Sequence, residues 1–239
     1  MATPPFRTCS GGRQTPPNPP HSPPCHTTWG AEVSMDHNLK TVLLNVMYAK
    51  SVALRDHSLQ TAEISSMIVR NLLDSGNDPA CSPEDAYTAG LLHDIGKLFV
   101  SESILNKPSV LTDREMETMR LHTSWGLQFV KNTSLERYAE VVVHHHENAA
   151  GTGYPHGLRA SELAPLTKVV RIADTLSALL EDRPYRRSIA DDRFILSQME
   201  QDLEGLFNGS SEIVCKAVIN YLSAFRKHKA IKEDSYAYA

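Results

Sequence analysis

An all-α fold is what this 239-residue sequence predicts. Three observations lead there. From about residue 35 onward, apolar residues recur at three- and four-residue steps. Helix-start chemistry stands in front of several of these stretches, and alternating strand patterns are almost absent. The expectation is one domain over 35–230 built from about seven or eight helices. Before it lies a proline-rich segment, 1–34, and after it a short tail, 231–239.

The elements follow in order. The run Pro16-Pro17-Asn18-Pro19-Pro20 through Pro23-Pro24 is low complexity, cannot bury a core, and is expected to be disordered or polyproline-like. A linker remnant, or a start at Met35, are the two readings of it. His57, Thr61, Ile64, Ile68 and Leu72 share one helix face. Ser82-Pro83-Glu84-Asp85 opens a second helix with a serine cap, proline in the first turn and acids at the positive end of the dipole. That helix should reach Leu91-Leu92-His93-Asp94 and stop by Gly96. Leu111-Thr112-Asp113-Arg114-Glu115 is a capping box, expected to open a helix that carries His122. Another helix should run from about Ser134 to His146. Gly151-Thr152-Gly153-Tyr154-Pro155 must be loop. Pro165 opens a strongly apolar helix through Val169, Val170, Ile172, Ala173, Leu176 and Leu179. Ser188 with Asp191 caps a further one, and Ser211 to about Lys229 forms the last.

Composition narrows the function classes. The formal net charge is -4 and no long basic run exists, which argues against a nucleic-acid polymer as partner. No stretch of about 18 apolar residues is present, so no membrane span is expected. The N-terminus lacks a charged region followed by an apolar run, as a signal peptide would show. Cys9, Cys25, Cys81 and Cys215 form no regular framework. They read as free thiols in a reducing, cytoplasmic setting, with a Cys9–Cys25 disulfide left open.

The 11 histidines are the unusual feature, because several stand together. The adjacent pair His93-Asp94 at a helix end can put an imidazole and a carboxylate on one cation, although such a pair also arises by chance. His144-His145-His146-Glu147 follows Val141-Val142-Val143. Three buried imidazoles would each need a hydrogen-bonding partner, so core filling is a poor account of them. Asp174 sits on the apolar helix after Pro165, where a carboxylate must be metal-bound or paired, for instance with Arg171. Imidazole with carboxylate suits Fe, Mn, Zn or Co, and no thiolate stands near these motifs. Two ions about 3.5–4 Å apart are the recurrent solution for phosphodiester hydrolysis.

These residues resemble a known family. His93-Asp94-Ile95-Gly96-Lys97 looks like the HDxGK motif of the HD superfamily. His145-His146-Glu147 through Gly151-Thr152-Gly153-Tyr154-Pro155 is similar to the HHE…GxGYP signature of the HD-GYP family. His122-Thr123-Ser124-Trp125-Gly126 resembles its HxxxG motif, His57-Ser58-Leu59 its first histidine motif, and Ala173-Asp174 with Arg183-Pro184-Tyr185-Arg186 its ADxxxAL…RPYR region. The match spans nearly the whole patterned chain, in order. It implies an HD-type helical bundle and a metal-dependent cyclic di-GMP phosphodiesterase, or a relative acting on cyclic GMP-AMP.

Carried over by position, the resemblance implies two divalent ions, Fe or Mn. His57, His93, Asp94 and Asp174 would hold one, and Asp94 would bridge to a second held by His122, His145 and His146. Lys97 would reach a phosphate or donate a proton. Arg183 and Arg186 would clamp phosphate oxygens. Tyr154 would present its hydroxyl to substrate, from a loop that Gly151 and Gly153 let take positive φ and approach closely. His144 is not expected to be a ligand. A homodimer, and protein partners at the GYP loop, are left open, and the input signal is expected from elsewhere.

Four positions depart from the family pattern. Ala53 stands where an acid often supports a third ion, so two ions are expected. Arg55-Asp56 falls outside the register of the usual RDPYT. Ala149-Ala150 replaces Trp-Asp, and Ser177 replaces the second aspartate of ADxxDAL. These changes spare the ligand set and put loop support and substrate fit in question. Two rival readings follow: a hydrolase of other nucleotides, or a sensor that binds cyclic dinucleotide or a partner without turnover.

Overall fold

The computed structural model describes residues 37–181 and 191–237, with side chains over 38–181 and 191–229. The proline-rich segment 1–34, Arg183-Pro184-Tyr185-Arg186 and Ser188 lie outside the described residues. Those residues form ten α-helices joined by loops and three short 3-10 turns, with no strand among them. The helices are α1 (His37–Lys50), α2 (Val52–Asp74), α3 (Pro83–Leu92), α4 (Glu102–Leu105), α5 (Asp113–Arg120), α6 (His122–Val130), α7 (Ala139–His144), α8 (Pro165–Leu180), α9 (Asp192–Leu206) and α10 (Ser211–Ala237). The class is the all-α one expected. The count exceeds seven or eight because α4 is a single turn and because α5 and α6 are separate.

Side-chain capping explains four of the helix starts, those of α2, α3, α5 and α9. Ser51 Oγ accepts from the Leu54 amide at 3.4 Å, Ser82 Oγ from that of Asp85 at 3.0 Å, and Asp191 from that of Phe194 at 2.8 Å. Each satisfies an amide that the first turn leaves without a partner. Thr112 and Glu115 close a reciprocal capping box. The helix it opens ends at Arg120, however, and His122 begins a new one. At that break the His122 ring takes the Met119 carbonyl at 2.7 Å and the Thr123 hydroxyl takes that of Arg120 at 3.1 Å.

The other boundary differences also have local causes. The helix expected from Ser134 starts only at Ala139. Thr133 Oγ1 accepts from the Leu135 amide at 3.1 Å, and residues 136–138 form a 3-10 turn instead. After α3, Ile95–Phe99 tightens into another 3-10 turn. The last helix runs past Lys229 to Ala237.

The core explains the apolar spacing. Ile64, Ile68 and Leu72 of α2 pack with Ile172, Leu176 and Leu180 of α8, Met199 of α9 and Leu222 of α10. A second cluster joins Met47 of α1, Leu92 of α3, Ile95 and Val142 of α7. Helices α2, α3 and α8 contribute to both clusters, which makes their polar residues rigidly held. Burying each such Leu or Ile contributes about 1.5–3 kcal/mol. No helix among the described residues is long and apolar enough to cross a membrane.

Candidate metal centre

Five segments converge on one buried cluster. His57 comes from α2, His93 and Asp94 from the end of α3, and His122 from the first residue of α6. His145 and His146 follow α7, and Asp174 lies mid-way along α8. The approach is close because Gly96 permits it: a Cβ there would collide with the backbone carbonyl of His122. All seven residues expected as metal ligands are therefore brought together.

His57 Nε2 lies 3.3 Å from His93 Nε2 and 3.0 Å from Asp174 Oδ1. Asp94 Oδ2 is 3.2 Å from His93 Nε2 and 3.6 Å from His57 Nε2. The other oxygen, Asp94 Oδ1, faces His122 Nε2 at 3.3 Å and His145 Nε2 at 3.6 Å. His122 Nε2 and His145 Nε2 are themselves 3.3 Å apart. His146 Nδ1 approaches Asp174 Oδ2 at 3.8 Å. Donor atoms fall into two groups that share Asp94, one with His57 and His93, the other with His122, His145 and His146.

Where the protons sit decides what this cluster can do. A backbone carbonyl only accepts, so the ring nitrogen beside it must carry hydrogen. His93 Nδ1 donates to the Gly90 carbonyl at 2.6 Å, and His122 Nδ1 to that of Met119 at 2.7 Å. His145 Nδ1 donates toward the carbonyls of Val141 and Val142 at 3.2 and 3.1 Å. In the neutral ring the Nε2 of each then bears a lone pair aimed at the centre. Burial pushes His122 down to about 3, outweighing the attraction of Asp94, and also lowers His145. Both rings are thus neutral near pH 7. Two lone pairs and the carboxylate oxygen Asp94 Oδ1 face one another with no hydrogen between them. Asp94 Oδ1, buried, makes no hydrogen bond. Such an arrangement is costly unless a cation occupies it.

The other half is electrostatically complementary. Burial lowers the His57 pKa, but Asp174, Glu181 and Asp94 outweigh it and lift the ring to about 9. Burial would raise Asp174 and Asp94. The surrounding imidazoles, and Lys97 beside Asp94, instead hold both well below the usual carboxylate range. Lys97 Nζ meets Asp94 Oδ2 at 2.5 Å, and this pairing overcomes burial to keep the ammonium charged.

The loop after His146 is held by two carboxylates. Glu147 is fully buried and accepts from the amides of His156, Gly157 and Leu158 at 2.7, 3.0 and 3.0 Å. Asp202 of α9 accepts from the Ala149 amide at 3.1 Å and from Arg171 at 3.0 Å. The alternative partner for Asp174, Arg171, is therefore engaged elsewhere. Loop support at Ala149-Ala150 comes from α9, where a Cβ on Gly205 would strike the Ala149 methyl. Gly151 takes a φ of +73° as expected, but Gly153 is not among the positive-φ residues. Its need for glycine is steric, since a Cβ would lie 2.5 Å from Glu147 Cα.

Tyr154 stacks on His146 at 4.6 Å, and the Arg120 guanidinium lies 5.0 Å from the Tyr154 ring centre. Burial and the carboxylates of Asp94 and Asp174 raise the Tyr154 hydroxyl pKa, so it stays protonated. His144 turns outward, to Glu140 at 3.2 Å and His156 at 2.9 Å. Arg183 and Arg186 lie outside the described residues.

Two residues around the centre, Gln60 and Glu181, were not singled out from the motifs. His57 Nδ1 has two partners, Glu181 Oε1 at 2.6 Å and Ser177 Oγ at 3.1 Å. Ser177 in turn donates to Gln60 Oε1 at 2.9 Å. Glu181 stands seven residues after Asp174, two turns along one face, and that spacing is the signal that could have found it.

Known proteins resemble this chain in sequence and in fold. A family model described as HD domain matches residues 46–201. A 3'3'-cGAMP-specific phosphodiesterase of Vibrio cholerae is 33% identical over 183 residues, 76% of this chain and 39% of that protein. A cyclic di-GMP phosphodiesterase of Thermotoga maritima is 39% identical over 101 residues, 41% of this chain and 27% of that protein. The chain thus spans about two fifths or less of the length of these relatives. Among solved structures, the HD domain of the Listeria monocytogenes phosphodiesterase PgpH with cyclic-di-AMP aligns at a TM-score of 0.54. Identity there is 17%, with 77% of this chain and 97% of that one covered. An HDG"Y"P protein from Bdellovibrio bacteriovorus aligns at 0.52 with 16% identity, covering 78% of this chain and 63% of that one, so these two likenesses speak for the fold. With the family model spanning most of the helical region and the motifs running in order through it, the chain belongs to the HD domain family, in its HD-GYP branch.

Proposed function

We propose that this domain is a metal-dependent phosphodiesterase that opens cyclic dinucleotides, converting cyclic di-GMP to linear pGpG and then to GMP. The observation that carries the reading is the proton-free meeting of Asp94 Oδ1 with the Nε2 atoms of His122 and His145. A donor set of imidazole and carboxylate, without thiolate, suits ferrous iron or manganese. Curated relatives named for cyclic di-GMP and for 3'3'-cGAMP support the substrate class.

Two ions fit the two donor groups. His57, His93 and Asp174 would hold one, His122, His145 and His146 the other, with Asp94 giving one oxygen to each. When bound, the ions supply Lewis-acid polarisation of the phosphoryl oxygens and a lowered pKa for water. Lys97, kept protonated by Asp94, stands where it can meet a phosphoryl oxygen or hand a proton to the departing 3′ oxygen. Tyr154, stacked on His146, offers a neutral hydroxyl, in a loop fixed by Gly151, Gly153 and Glu147. Arg183 and Arg186 are assigned to the phosphates by motif.

Metal analysis combined with chromatography tests this. Protein loaded anaerobically with iron or manganese is given cyclic di-GMP, 3'3'-cGAMP, and a panel of linear nucleotides. Two ions per chain and a linear dinucleotide product are expected. Binding of cyclic dinucleotide without any product would instead identify a sensor, and turnover confined to linear nucleotides would overturn the substrate class.

A further inference from the structure

The contacts of His57 go beyond what its ligand role requires. Ser177 donates its only proton to Gln60 Oε1, so its oxygen is left to accept from His57 Nδ1. Glu181, a carboxylate, also only accepts, and at 2.6 Å it makes the shorter contact. The two acceptors place the hydrogen on Nδ1 and the lone pair of the neutral ring on Nε2, toward Asp174, His93 and Asp94. The other three inward Nε2 atoms belong to rings held by backbone carbonyls. His57 alone of these four meets a side-chain carboxylate at Nδ1 among the described residues.

We propose that Glu181 is the positioning residue of the first ion site. It supplies the carboxylate that fixes His57 as an Nε2 donor, in place of the aspartate that the family pattern carries at position 177. Ser177 and Glu181 are one helical turn apart, and the Glu181 amide still bonds the Ser177 carbonyl at 3.1 Å. Two positions on one face therefore reach the same ring nitrogen. A serine at 177 reaches the ring but brings no charge, and the longer arm of Glu181 brings a carboxylate back to the ring from the end of α8. A carboxylate behind a ligating imidazole raises its basicity and locks its orientation, and losing such a partner costs about 10–100-fold in metal affinity.

This inference rests on the two-ion reading above, and the experiment separates the two. Metal-free protein is titrated with Mn(II), the free ion being counted by its electron paramagnetic resonance signal. Wild type is expected to take up two ions. Glu181→Gln, which keeps size and removes charge, should weaken one site about tenfold or more and leave the other unchanged. Placing the carboxylate one turn earlier, in the Ser177→Asp/Glu181→Gln double variant, should restore the lost affinity. Unchanged affinity at both sites in Glu181→Gln overturns the inference while the functional reading stands. Wild type that takes up no Mn(II) overturns both. If Glu181→Gln folds poorly by helical circular dichroism, Glu181→Asp, with a shortened arm, is expected to weaken the same single site, and equal binding there overturns the proposal.

Discussion

Uptake of the first ion should release about one proton at pH 7.5. In the metal-free protein His57 is lifted from 6.5 to about 9, because Asp174, Glu181 and Asp94 outweigh the effect of burial. At pH 7.5 it is protonated by roughly 30 to 1. An ion at Nε2 needs the neutral ring, so binding must expel that proton. His122, lowered to about 3, is already neutral and releases none. Affinity for the first ion should then rise about tenfold per pH unit until pH approaches 9. The same shift has a sign for stability. A group raised on folding contributes below its unfolded value of 6.5, and the contribution is lost as pH climbs through about 9. The gap amounts to about 3 kcal/mol at most, which corresponds to roughly 6–12 °C in the melting temperature of the metal-free protein. Calorimetric titration with Mn(II) in buffers of different ionisation enthalpy counts the protons directly. A buffer-independent enthalpy at pH 7.5 would refute the reasoning, and His57→Asn should abolish the release.

Asp94→Ala removes the carboxylate shared by both donor groups, so metal content by elemental analysis and hydrolysis by product chromatography should be lost together. Retention of both at wild-type levels would contradict the site as built. Glu147→Ala leaves three backbone amides in the loop without an acceptor, and should destabilise the fold by about 3 kcal/mol or more in urea unfolding. Gly153→Ala forces a Cβ against Glu147. It should cost about 1–3 kcal/mol and depress turnover more than metal content, with elemental analysis separating the two. Cys81 is pushed up to about 11 by burial and then by Asp78. At pH 8 its thiolate is about a hundredfold scarcer than in the unfolded chain, so iodoacetamide should label it correspondingly slowly, as mass spectrometry of tryptic peptides would show.

The helix starts and the residues that converge on the cluster were legible because each is written locally. A cap needs only Ser82 and the amide three residues on, and Thr112 with Glu115 carries its box within four residues. Helix ends were less legible wherever a side chain competes for backbone. Thr133 delays α7, and His122 and Thr123 break the helix that the capping box opens. Gly153 was read as allowing both positive φ and close approach; it takes no positive φ, and what it packs closely against, Glu147, only the folded loop reveals.

The least legible part of the site is what stands behind the ligands. Ser177 meets His57 across 120 residues of sequence, through the packing of α8 on α2. No local pattern records that crossing. Judged alone, Ser177 is a lost carboxylate. Judged with α2 and α8 in place, the ring it faces already has one from Glu181. A motif therefore predicts which residues converge better than it predicts what supports them. A ligand must be an imidazole or a carboxylate at a fixed place, whereas its partner can be supplied by any acceptor that reaches Nδ1. Backbone carbonyls do so for His93, His122 and His145, and side chains do so for His57. Departures from a family pattern are accordingly tolerable behind His57 in a way they are not at Asp94, whose two oxygens face opposite donor groups that no neighbouring residue could serve at once.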